Sequence, residues 1–213
     1  MRHSVRFTLD TNCIIDVEEG RPSAPFLREL VALHGKSGIN VAVSAIGASE
    51  RQRAGGYASS FSEFRKKLKA VGFDSLELLA PLAYWDITYL DHCVLGDEND
   101  TLERDIHEVL FPGIEFLKVD YAKARGIDAD TVDTQWRNAK CDVLTMWCHI
   151  RHGGGVLVTS DMNFHSEGKR DKLQALGAGT VALPSVALAV AKNYPESGYA
   201  TFIMDGSRRH GGR

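Results

Sequence analysis

Four carboxylates stand where this chain could turn them to chemistry: Asp10, Glu50, Asp142 and Asp161. Asp10 ends the alternating run V-R-F-T-L and Asp161 ends V-L-V-T-S, so each is expected at the C-terminal edge of a buried strand. Glu50 is expected in the second turn of a helix capped by Ser44, with Ile46 and Gly47 on its own side. Asp142 lies beside the stripe Ala139, Val143, Trp147 and Ile150 of a helix that begins at Thr134 and stops at Gly153 to Gly155. Plainer readings stand beside these: Asp10 as a helix N-cap, and Glu50, next to Arg51 and Arg53, as a solvated helix residue. Gathered at one sheet edge, such acids repel, by roughly 3 kcal/mol for a pair about 5 Å apart at an effective dielectric of about 20. A cation must then sit among them, or some must be protonated. Oxygen ligation without His or Cys favours Mg²⁺ or Mn²⁺ over zinc, and two such ions about 4 Å apart can activate water and stabilise the leaving oxygen of a phosphodiester. Thr11, Asn12, Ser160 and Asn163 are the short polar neighbours expected to orient carboxylates or water.

The elements that must position these residues read as an α/β chain. Phe26, Leu27, Leu30, Val31 and Leu33 recur at helical spacing with Pro25 in the first turn, and I-N-V-A-V-S reads as a strand. Phe61, Phe64, Leu68 and Val71 form a helical stripe whose other face carries Arg65, Lys66, Lys67 and Lys69. That basic face could guide a phosphate backbone or serve simply as a solvated surface. Asp74 to Leu79 has helical composition, and A-Y-W-D-I-T-Y-L reads as a strand or hairpin. Residues 97–100 read as an acidic loop, and Leu102, Ile106, Val109 and Leu110 mark a further amphipathic helix. After the Asp161 strand, a helix over Lys169 to Leu176, a strand within G-A-G-T-V-A-L-P and a closing helix over Ser185 to Ala191 are expected.

F-T-L-D-T-N-C-I-I-D, V-S-A-I-G-A-S-E, the helical Asp142 and V-L-V-T-S-D-M-N-F together resemble the successive motifs of the PIN domain, the nuclease fold of VapC-type toxins and several RNA-processing enzymes. The resemblance covers roughly residues 6–50 and 139–184. It implies a three-layer α/β/α fold with a central, mainly parallel sheet, here one domain over residues 1–205, with a mostly helical insertion at about 55–136 and a basic tail at 206–213. It implies metal-dependent hydrolysis of single-stranded or loop RNA with Asp10, Glu50, Asp142 and Asp161 as ligands of Mg²⁺ or Mn²⁺. A homodimer and an antitoxin-like protein are the protein partners it implies. The chain departs from the family pattern in its longer middle and in Asn163, where many members carry a further acid.

Bulk properties agree with a globular protein: 44% of the 213 residues are apolar, 25% are charged, and the formal charge is -3. An overall electrostatic grip on nucleic acid is excluded, whereas local basic patches are not. No run approaches the roughly 18 apolar residues of a membrane span, so a cytoplasmic protein with no membrane contact is expected. Cys13, Cys93, Cys141 and Cys148 form no C-x-x-C pair and are expected as reduced thiols. A zinc site from Cys141, Cys148, His149 and His152 would need ligands from elsewhere. Two rival functions remain: a PIN-like module that binds RNA or protein without cutting, and a haloacid-dehalogenase-like phosphatase, which would want an acid at position 12, where this chain has Asn.

Overall fold

Strands with apolar residues on both faces must be covered on both, and here helices cover each. The computed structural model describes residues 4–49, 60–85, 87–97, 100–130 and 134–197. Strand β1 (Val5–Leu9) leads into α1 (Thr11–Glu18), α2 (Ala24–Ala32), β2 (Ile39–Ser44) and a 3-10 turn at Ala45–Ala48. Then come α3 (Phe61–Val71), β3 (Glu77–Leu79), a 3-10 turn at Leu90–His92, α4 (Leu102–Leu110) and α5 (Lys118–Arg125). The chain continues through α6 (Thr134–Arg151), β4 (Val156–Val158), α7 (Met162–His165), α8 (Glu167–Ala175), β5 (Thr180–Ala182) and α9 (Pro184–Ser197).

The five strands form one parallel sheet in the order β3-β2-β1-β4-β5. Phe7, Leu9, Val41, Val43, Val156 and Val158 pack on one face with α1, α2, α3 and α9. Ala42, Leu79, Leu157 and Val181 pack on the other with α4, α6 and α8. The result is the expected three-layer α/β/α architecture. The chain winds outward from β1 to β3, then returns to place β4 on the other side of β1. The direction of winding therefore reverses between β1 and β4, and the carboxyl ends of strands at such a reversal border the crevice where open α/β sheets bind ligands. No helix among the described residues is long and apolar enough to cross a membrane.

Several local expectations are corrected. Residues 77–79 form β3 rather than part of a helix, because pairing with β2 in the register Val43↔Leu78 satisfies their backbone and buries Leu79 completely. Among its described residues, the aromatic stretch after Pro81 forms no ladder beyond an isolated Leu82↔Val94 bridge. Its Tyr84 and Ile87 instead pack on Trp136, Cys141 and Leu144. The described residues of the stretch at about 55–136 supply α3 and β3 to the central layers and α4 to the second face. Residues 45–48 form a 3-10 turn that Ser44 does not cap through its side chain. Glu50, Arg51, Arg53 and the tail at 206–213 lie outside the described residues.

The middle segment is tied to α6 through a buried charge. Lys140 has no exposed side-chain surface, and its Nζ donates to Glu103 Oε1 at 2.7 Å. Phe116, Tyr84 and Trp136 surround it, with Nζ 3.9, 4.6 and 5.4 Å from the ring centroids. Burial holds the ammonium below its ordinary pKa, and the Glu103 carboxylate works against that. Removing one partner of such a pair leaves an uncompensated buried charge. Glu103→Ala is therefore expected to lower unfolding free energy by about 3 kcal/mol in urea melts. A loss well under about 1 kcal/mol would mean that Lys140 is solvated in the variant.

Candidate functional site

Asp10 continues the extended backbone of β1, with φ -74° and ψ 162°, and so shares a sheet face with Thr8. Its amide still belongs to the ladder and donates to the Val158 carbonyl at 3.1 Å. The side chain is buried at 5% exposure and held by three donors. Oδ1 accepts from the Thr11 amide at 2.6 Å, and Oδ2 accepts from Asn12 Nδ2 at 2.7 Å and from the Thr159 hydroxyl at 2.8 Å. Asp10 therefore caps α1, and its second oxygen reaches across to the end of β4. Burial raises its pKa from 3.8 to about 6, against the lowering effect of the Thr159 and Thr11 hydrogen bonds and with a further push from Asp161 and Asp16.

Asp161 repeats the arrangement on β4. It caps α7, with Oδ1 accepting from the Asn163 amide at 2.8 Å, and its own amide donates to Thr159 Oγ1 at 3.0 Å. Its side chain is half-buried, and Oδ2 has no hydrogen-bond partner among the described residues. Asp10 and Asp161 thus lie on neighbouring strand ends, near enough for each charge to feel the other, with Thr159 bonded to both residues.

The short polar neighbours are placed as follows. Asn12 fastens the two strand ends, donating to Asp10 and Thr159 while its Oδ1 accepts from the Ser160 amide at 3.2 Å. The hydroxyl of Ser160 turns away from both acids and donates to Asp16 at 3.0 Å. The Thr11 hydroxyl is buried without a partner among the described residues, pressed against the turn at Gly47, where a Cβ would come within 2.7 Å of it. Asn163 orients Asp161 through its backbone; its side-chain oxygen accepts from Lys169 Nζ, which also donates to the Leu110 carbonyl.

Asp142 is half-buried on α6, and two contacts fix its level. Arg137 donates to the Ser49 carbonyl at 2.9 Å, beyond the end of β2, so α6 runs antiparallel to the strands. His149 bonds Thr8 Oγ1 at 2.8 Å through Nδ1 and the Ala178 carbonyl at 2.8 Å through Nε2, which makes Nε2 the protonated nitrogen. Asp142 precedes His149 by two turns, about 10.5 Å along the helix, which matches about three residues along β1. That puts it level with the start of α1, on the face toward which Asp10 points. Glu50, the fourth acid, lies outside the described residues, next to Ser49. Among the described residues, no three His, Cys, Asp or Glu side chains form a group that could hold a metal ion, and this includes the cysteine and histidine set on α6. Cys13, Cys141 and Cys148 are buried and form no disulfide among the described residues, and burial pushes the Cys13 thiol well above its ordinary range.

Two contributors escape a reading by motif. Asp16, 3% exposed, accepts from Arg21 Nη1 at 3.1 Å as well as from Ser23 and Ser160, and so ties α1 to the β4–α7 connection. It follows Asn12 by one helical turn, the one signal in the sequence that places it on the site side of α1. Thr159 precedes Asp161 by two residues and therefore shares its sheet face. No family model, curated protein or solved structure matches the chain.

Proposed function

We propose that the protein is a PIN-like, metal-dependent ribonuclease. The observation that carries this reading is the pairing of Asp10 and Asp161 at the carboxyl ends of β1 and β4, where the winding of the sheet reverses, with the Asp10 carboxylate buried and without a cationic hydrogen-bond partner among the described residues. A small divalent cation is commonly bound by one or two carboxylates together with substrate phosphate oxygens. The donor set fits that pattern: Asp10 retains a lone pair on Oδ1, and Asp161 Oδ2 has no partner among the described residues. Asp142 forms no metal-holding group with Asp10 and Asp161, so it is proposed to reach the ion through water, and Glu50 is the proposed further ligand.

When bound, Mg²⁺ or Mn²⁺ would supply an activated water and offset the charge that builds on the phosphodiester. The chain's own residues would do the positioning. Thr11, Asn12 and Thr159 fix the Asp10 carboxylate with three hydrogen bonds, so it needs no reorganisation when substrate arrives. The Asn163 amide holds one Asp161 oxygen and leaves the other for a ligand or a water proton. Attack by water on phosphorus and departure of the ribose oxygen would give a phosphate monoester and a free hydroxyl, with no covalent enzyme intermediate.

Incubation of labelled single-stranded RNA with the protein tests this. Cleavage in Mn²⁺ that stops in excess EDTA is expected. RNA binding without turnover in Mn²⁺ would replace the reading with that of a non-catalytic module, and a trapped aspartyl-phosphate would replace it with that of a phosphatase.

A further inference from the structure

The basic face of α3 borders a groove. Its volume is about 470 Å³, within the usual range for small-ligand sites. The floor is apolar: Leu68 on α3, and Leu76 and Leu78 from the edge strand β3 and the residue before it. Leu68 is 2% and Leu76 5% exposed, so the floor is rigid core rather than loop. Arg65 and Lys69 form the rim, and their positions are four residues apart on the helix, about 6 Å along the axis. His92 closes one side, its ring stacked on Phe61 at 3.6 Å between centroids. Asp74 stands at the remaining side as a hydrogen-bond acceptor.

The cations of this helix are not alike. Lys67 pairs with Glu18 at 2.9 Å. Arg65, Lys66 and Lys69 are exposed and carry no ion pair among the described residues; the guanidinium of Arg65 lies 5.7 Å from the Phe61 ring. A floor that accepts a flat apolar surface, a cationic rim spaced like neighbouring phosphates and an acceptor beside them match one nucleotide unit. Buried packing joins the groove's helix to the acid-bearing strand ends. The Phe64 ring packs by the Gly47 turn, which presses on Thr11, and α3 leads from there to Arg65 and Lys69.

We propose that this groove is a nucleotide subsite for a single RNA strand, with Arg65 and Lys69 on adjacent phosphates and a base over Leu76 and Leu78. The proposal rests on the ribonuclease reading for its choice of a strand over a free nucleotide. Its test reads binding and not cleavage: fluorescence anisotropy of a labelled oligouridine in EDTA, over a series of salt concentrations. Lys69→Gln is expected to weaken binding several-fold and to lower the slope of log K against log salt by about 0.7, the value for one phosphate contact on a single strand. Lys172→Gln, on α8, is expected to leave both unchanged. Uridine monophosphate should compete with the oligonucleotide more strongly than inorganic phosphate does. Equal effects of Lys69→Gln and Lys172→Gln would overturn the subsite, and equal competition by phosphate would reduce the groove to a charge contact and overturn base binding. A protein that binds through Lys69 without cutting in Mn²⁺ sinks only the nuclease reading. One that cuts while Lys69→Gln binds as the wild type sinks only this one.

Discussion

Asp10→Asn will reduce Mn²⁺-dependent RNA cleavage by about 10³-fold or more and, in EDTA at neutral pH, will melt at a higher temperature than the wild type. The first effect rests on the proposed function, in which Asp10 is a charged metal ligand and its loss is worth several kcal/mol, since each 1.36 kcal/mol is tenfold in rate. The second follows from burial. With its pKa raised from 3.8 to about 6, an ionised Asp10 costs the fold about 3 kcal/mol at pH 7. Asparagine escapes that cost but places a donor where Oδ1 receives the Thr11 amide, giving back about 1–2 kcal/mol as a lost cap. The net gain is about 1 kcal/mol, or about 2–4 °C in a chain of this size.

The sign of this difference must reverse with pH. Below the ordinary carboxylate pKa, Asp10 is protonated in both folded and unfolded chains, and the ionisation cost is absent. As pH rises from about 4 to about 6, the folded chain keeps a proton that the unfolded chain has released, so wild-type stability falls through that window. The variant has no such group; it is expected to be the less stable protein near pH 4 and the more stable one at pH 7. His149 contributes oppositely over nearly the same range. Burial lowers its pKa to about 4, so its contribution to stability is lost as pH falls below the ordinary histidine value. Because both proteins contain His149, the difference between their thermal melts isolates Asp10. A difference that does not change with pH would show that burial leaves the Asp10 pKa where it is in the unfolded chain. Saturating Mn²⁺ should raise the wild-type melting temperature, by the equivalent of about 2.7 kcal/mol at a concentration one hundred times Kd, and leave the variant unmoved.

The parts of this site that could be read from the sequence are those in which local pattern and tertiary environment agree. Asp10 and Asp161 each interrupt an apolar run, and a buried parallel strand leaves such a run no other way to end than at a polar edge. The half-buried place of Asp142 on α6 was legible because the apolar stripe of that helix fixes which flank meets the sheet. Strand β3 was not legible: three residues carry little periodicity, and what makes them a strand is the exposed edge of β2 beside them. Tyr84 and Ile87 have the composition of a strand, but their side chains find more burial against Trp136 and Leu144 than a ladder would provide. Asp16 was missed for a related reason, since the partners that make it structural, Arg21, Ser23 and Ser160, come from two separate connections. Lys140 had no signal of its own; its aromatic surround is assembled from residues 20 to 60 positions away in sequence or closer on α6.

Gly155→Ala will cost at least about 4 kcal/mol of stability, because two penalties combine at one position. Its φ of +105° is open to glycine and strained for any L side chain, at about 1–3 kcal/mol. A Cβ there would also stand 2.4 Å from the Arg6 carbonyl oxygen, a backbone atom that can move only with β1. The close approach has a structural purpose. The next residue, Val156, pairs with Phe7 and begins the β1–β4 ladder, so the absent side chain lets β4 lie at sheet distance from β1 from its first residue. The Gly155 carbonyl also accepts from the Thr180 amide at 2.8 Å and starts the pairing with β5. An alanine must therefore either push β4 off its neighbours or distort both ladders. The site lies at the far end of these strands, which separates stability from chemistry: in urea melts Gly155→Ala should unfold far earlier than the wild type, while the fraction still folded in the cold binds Mn²⁺ with little change in affinity. A variant as stable as the wild type would show that β1 and β4 do not meet as closely as this, and with that the shared ladder that sets Asp10 beside Asp161 would lose its support.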